Sequence, residues 1–82
     1  MEIVWDERKR RANLEKHGLD FAALSLDFFL TSLVRPAKQN RMQAIGRIED
    51  ACIVVIFVPL GSEALSLISM RPASHEERKL LP

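Results

Sequence analysis

Ala51-Cys52-Ile53-Val54-Val55-Ile56-Phe57-Val58 is the stretch whose reading decides the fold. It is the longest unbroken apolar run in the chain, β-branched through its middle and too short to cross a bilayer. Asp50 precedes it and Pro59, Gly61 and Ser62 follow, so turn signals bound it on both sides. Such a run reads as a strand buried on both faces. It needs a paired neighbour on each side and cover on at least one face.

The neighbours stand beside it in the sequence. Upstream, Arg41, Gln43, Ile45 and Arg47 alternate with Met42, Ala44, Gly46 and Ile48, the pattern of a half-exposed strand with arginines on one face. Glu49-Asp50 turns the chain into the apolar run. Downstream, Pro59-Leu60-Gly61-Ser62 turns it again, and Glu63 to Arg71 is a further strand. Strict alternation there puts Leu65, Leu67, Ser69 and Arg71 on one face and Ala64, Ser66, Ile68 and Met70 on the other. Thr31 to Val34 is β-prone, Pro36 to Asn40 is a polar loop, and Ile3-Val4-Trp5 adds an edge strand or packs on the core.

Helices supply the cover. Asp6 is placed to cap a helix over Glu7 to His17, with Glu7 in its first turn, Lys16 and His17 in its last, and Gly18 as a left-handed stop. That helix is so charged that its buried stripe is narrow, with Leu14 and Trp5 turned inward. Asp20 caps a second helix whose Phe21, Leu24, Leu26, Phe28 and Phe29 form a wide apolar face across the sheet. Ser74 caps a last helix, with Glu77 at the capping-box spacing. The expectation is one α+β domain over residues 1–82, with two N-terminal helices, a three- to four-stranded antiparallel sheet and a C-terminal helix.

The formal charge of +1 conceals a pattern. From Val34 to Ile48 the chain carries Arg35, Lys38, Arg41 and Arg47 and no acid, and Arg8, Lys9, Arg10 and Arg11 stand together near the N-terminus. Locally basic surface suits a polyanion or an acidic partner; its plainer reading is a solvated surface. The single Cys52 excludes an internal disulfide, and no segment has the length of a signal peptide or a membrane span, so a cytoplasmic protein without membrane contact is expected. His17 and His75 lie far apart, and there is no phosphate loop or dinucleotide fingerprint, so neither metal nor cofactor is expected.

What remains is a set of cations at strand and helix ends: Lys16, His17, Arg41, Arg47 and Arg71. Arginine presents a planar fork of donors that matches phosphate oxygens. Cleavage of RNA by its own 2′-hydroxyl needs a base, cations that stabilise the extra charge on phosphorus, and an acid for the leaving oxygen; a metal is not required. The plainer alternatives are arginines paired with Glu49, Asp50 or Glu63, and His17 as a helix cap.

Trp5-Asp6-Glu7, Lys9, Asn13, Lys16-His17-Gly18 and Phe21 together resemble the opening signature of BrnT-type toxins. Arg41, Ile45-Gly46, Val54-Val55, Ile68-Ser69, Arg71-Pro72-Ala73 and Glu77-Arg78 follow in that family's order, so the resemblance covers nearly the whole chain. It implies a RelE-like fold and a ribonuclease toxin of a type II toxin–antitoxin pair, which inhibits translation by cutting RNA. It further implies a BrnA-type ribbon-helix-helix antitoxin, assembly with it into a hetero-oligomer, and operator DNA contacted only through that partner. With the resemblance, Arg41 and Arg71 become the candidate phosphate and transition-state contacts. Lys16 and His17 become candidates for proton transfer or substrate positioning, and Arg47 and Lys38 for RNA contact. The chain departs from the family where an arginine usually precedes the Ser69 position, where Ser66 and Leu67 stand here, and in having no tyrosine near the end of its last helix. The departures keep an alternative in view, a weak or inactive toxin-like module that binds the antitoxin and supports autorepression. Nucleic-acid binding without cleavage is the other.

Overall fold

The computed structural model describes all 82 residues, Met1–Pro82. The order of elements is β1 (Glu2–Trp5), α1 (Glu7–His17), a 3₁₀ turn (Phe21–Ala23), α2 (Leu26–Thr31), β2 (Leu33–Pro36), β3 (Met42–Ile48), β4 (Ala51–Leu60), β5 (Ala64–Pro72) and α3 (His75–Arg78). The apolar run is β4, and it sits at the centre of a five-stranded sheet in the order β1-β5-β4-β3-β2. Its buried residues Ile53, Val54, Val55 and Phe57 feed both faces, as a central strand must.

The α+β class holds, but the sheet is mixed and has five strands where three or four antiparallel ones were expected. β3 and β5 flank β4 antiparallel, β2 adds antiparallel to β3, and β1 lies parallel to β5 with Glu2 opposite Ala64 and Trp5 opposite Leu67. The second helix is also corrected. Asp20 does cap, accepting from the Ala22 amide, but only a 3₁₀ turn follows, because Leu24 and Ser25 take extended backbone angles before α2 begins. The apolar face survives the break: Phe21, Leu24 and Phe28 are buried, while Leu26 stays exposed.

A bulge in β5 overturns the strict alternation. Ile56 pairs with Ser69 and Phe57 with Leu67, so Ile68 is an extra residue without a partner on β4. Leu65, Leu67 and Met70 therefore share the helix-covered face, in the main cluster with Phe21, Leu24, Phe28, Ala44, Ile53, Val55 and Phe57. Ser69 and Arg71 pass to the opposite face, level with Ile56 and Val54. On that face Ile45, Val54 and Ala73 form a second small cluster, packed by Cys52, Ile56 and Leu81.

α1 starts and stops as its sequence requires. Asp6 accepts from the Arg8 amide, and Gly18 ends the helix at φ 69°, a conformation that side chains disfavour. Arg10 bonds Glu7 within the helix and ties the helix to the cap of the 3₁₀ turn through Asp20. The buried residue of α1 is Asn13; Leu14, expected to face inward, is 39% exposed. No helix is long and apolar enough to cross a membrane.

Candidate functional site

β1 ends at Trp5, opposite Leu67, so beyond that point the outer edge of β5 has no strand partner. Asn13 takes the place of one. Its Oδ1 accepts from the Met70 amide at 2.9 Å, and its Nδ2 donates to the Leu19 carbonyl at 3.1 Å. One buried amide thus fixes α1 against the bare edge of β5. Beside this anchor runs a shallow groove of about 250 Å³, lined by Lys9, Ala12, Asn13, Lys16, His17, Ile68 and Ser69.

The bulge gives this groove its floor, since it places both Ile68 and Ser69 against α1. Lys9, Asn13 and Lys16 line it because residues four and seven apart share one side of a helix. The lining includes three basic side chains and a hydroxyl but no carboxylate. The protein's ion pairs are Arg10 with Glu7 and Asp20, Arg71 with Glu77, and Lys79 with Glu76, which leaves Lys9 and Lys16 unpaired. Cationic donors without internal partners, backed by a fixed wall, make a place for an anion.

Lys16 and His17 are thus brought together in one groove. Arg71 lies two residues past Ser69 on β5, but its guanidinium forks onto Glu77 at 2.7 and 2.8 Å. The pair raises the pKa of Arg71 through the hydrogen bonds to Glu77. Glu77 also accepts from the Ser74 amide in the α3 capping box. The two sets of bonds, Arg71 first, hold the Glu77 carboxyl down at about 2.

The other candidates lie apart. Arg47 donates to the Pro82 carbonyl oxygen at 2.8 Å, and Lys38 is exposed in the loop before β3. Arg41 ends that loop and is half-buried. Arg41 and Arg47 alternate onto one face but stand about 20 Å apart along the strand, too far to share a phosphate. None of Arg41, Arg47 and Arg71 pairs with Glu49, Asp50 or Glu63. His75 is exposed in the first turn of α3.

Sequence reasoning missed Lys9, Ser69 and the anchoring role of Asn13. The helical spacing of Lys9, Asn13 and Lys16 carried a usable signal, whereas Ser69 depends on a bulge that no pattern announced.

The Glu77 shift has a consequence for stability. Its carboxyl titrates at about 2 in the folded chain against an ordinary 4.5. A depressed carboxylate stabilises the fold above its unfolded pKa, and that contribution fades as pH falls through the folded value. The parent should therefore exceed Glu77→Gln by on the order of 1–2 kcal/mol at neutral pH, the cap being retained by glutamine. The gap should close between pH 4.5 and about 2. Urea midpoints of both proteins across that range check this, and a gap independent of pH would refute it.

Comparison with known proteins identifies the family. The family model described as the ribonuclease toxin BrnT of type II toxin–antitoxin systems matches residues 5–77. The crystal structure of the Brucella abortus ribonuclease toxin BrnT superposes with a TM-score of 0.86 at 56% identity, over 92% of this chain and 99% of that one. No curated protein matches the chain. The matched span runs from Trp5 to Glu77 and so contains α1, the bulged β5 and the Arg71–Glu77 pair. The chain belongs to the BrnT family of ribonuclease toxins of type II toxin–antitoxin systems.

Proposed function

We propose that residues 1–82 form one toxin domain that cleaves RNA without a metal and thereby inhibits translation. The observation that carries this reading is the groove between α1 and the β5 edge, where Lys16, His17 and Ser69 meet with no carboxylate among them. Such a set attracts phosphate and repels a divalent cation. In the reaction, the 2′-oxygen of a ribose attacks the adjacent phosphorus and the bond to the 5′-oxygen breaks, leaving a 2′,3′-cyclic phosphate. The 2′-hydroxyl proton passes to a base, and the departing 5′-oxygen takes a proton from an acid. His17 offers an imidazole for one of these transfers, and Lys16 stabilises the charge that builds on the phosphate. Arg71 joins them when RNA phosphate displaces Glu77 from its fork. Arg41, Lys38 and Arg47 contact RNA further out, on β3 and the loop before it.

The family supplies an antitoxin partner. We take that partner to be a BrnA-type ribbon-helix-helix protein that neutralises the toxin in the cytoplasm as a hetero-oligomer and makes the operator DNA contacts itself. A second reading has one observation on its side. Arg71 and Arg47 are both occupied internally, which suits a module that binds its antitoxin and cuts RNA weakly or not at all.

Purified protein incubated with total RNA in excess EDTA separates the two. The expected result is cleavage to products ending in cyclic phosphate, abolished by added antitoxin. Intact RNA from a protein shown to be folded would overturn the nuclease reading in favour of the binding module.

A further inference from the structure

Lys9 has no place in the proposed chemistry, yet it lines the same groove as Lys16. The two lysines stand two helical turns apart, about 10 Å along the axis of α1. Neither pairs with a carboxylate. Between them the wall is Ala12 and Asn13, and both polar atoms of the Asn13 side chain are spent on Leu19 and Met70. The groove therefore has a charged donor at each end and a neutral wall between, with the half-buried Ile68 also lining it. Drawing both ammonium groups onto one phosphate would order two long side chains and press like charges together. A chain of phosphates answers both ends without that cost.

We propose that Lys9 is an RNA-binding residue, and that the groove holds two phosphates of one polynucleotide strand, the scissile one at Lys16 and a flanking one at Lys9. The strand then runs along α1, with its ribose or base edge over Ala12 and Ile68. This rests on the ribonuclease reading only for which phosphate is cut; the two-phosphate track stands on the groove itself. The strand enters or leaves past Lys9, so Arg41 and Arg47 are reached only by a long RNA.

The test is the salt dependence of binding to a short single-stranded deoxyribo-oligonucleotide, which lacks the 2′-hydroxyl and cannot be cut. For a single strand, removing one cation that neutralises a phosphate makes the slope of log K against log salt shallower by about 0.7. Lys9→Gln and Lys16→Gln should each flatten it by about that amount, and the double variant by about twice as much. Lys79→Gln, whose ammonium pairs with Glu76 on α3, should leave it unchanged. Urea midpoints equal to the parent's would confirm that the groove variants are folded. A Lys9→Gln slope equal to the parent's overturns the two-phosphate groove, and RNA cleavage by the parent in the same preparation would leave the ribonuclease reading standing. Slopes that flatten as expected without any RNA cleavage would establish the groove and sink that reading.

Discussion

Asn13→Ala is expected to lower the stability of the protein by about 2–6 kcal/mol, a large share of what a small domain has to lose. The side chain is only 8% exposed and bonds two backbone groups at once. Alanine would orphan the Met70 amide, which β1 ends too early to reach, and the Leu19 carbonyl at the α1 exit. Each orphaned buried group costs about 1–3 kcal/mol. For a chain of this size that corresponds to a fall of at least about 10 °C in the thermal midpoint. Asn13→Asp separates the two bonds, since a carboxylate can still accept from Met70 but cannot donate to Leu19. Aspartate should therefore be damaging as well, with the loss concentrated at the Leu19 side. Urea unfolding of the three proteins measures this. A change below about 0.5 kcal/mol for alanine would show that something else holds α1 to the sheet.

Lys16→Ala is expected to show the opposite pattern, with cleavage of RNA slowed about 10²-fold and stability nearly untouched. Lys16 is exposed, has no internal partner and contributes to the fold only through the dipole of the last helical turn, worth under about 1 kcal/mol. Its loss from the groove removes a charge aimed at the phosphate, a loss felt mainly where negative charge accumulates during reaction. Lys16→Arg keeps the charge and should recover part of the rate. Single-turnover cleavage against urea midpoints gives both quantities on the same preparations. A rate within about threefold of the parent would remove Lys16 from the reacting centre.

The contrast between these two residues shows how much of the molecule is legible in its sequence. β4, its two hairpin partners, the caps at Asp6, Gly18 and Ser74 and the burial of Phe21, Leu24 and Phe28 rest on local chemistry and periodicity, and each is readable from the residues alone. The placement of Lys16 and His17 in the last turn of α1 is legible for the same reason. The parallel pairing of β1 is not, because no local signal tells an edge strand which distant edge it will meet. The bulge is hidden because Ile68 and Met70 are both apolar, so either could have faced the core. Glu77 looks like a capping residue and is one, but its second role depends on Arg71 being carried to the same face by that bulge. Asn13 reads as part of a family signature, although a lone amide on the inward side of a charged helix is itself a sign that backbone groups there need a partner.

The Asn13–Met70 bond also sets an order in time, because it joins residues 57 positions apart. β1 likewise waits for Ala64–Leu67, near the other end of the chain. Contacts of such separation bear the full cost of loop closure before they gain anything, and they form late. The groove is made of α1 and β5 together, so it does not exist in a nascent chain whose ribosome has yet to release Met70. Any activity that depends on it stays silent until β5 has left the ribosome and packed against α1.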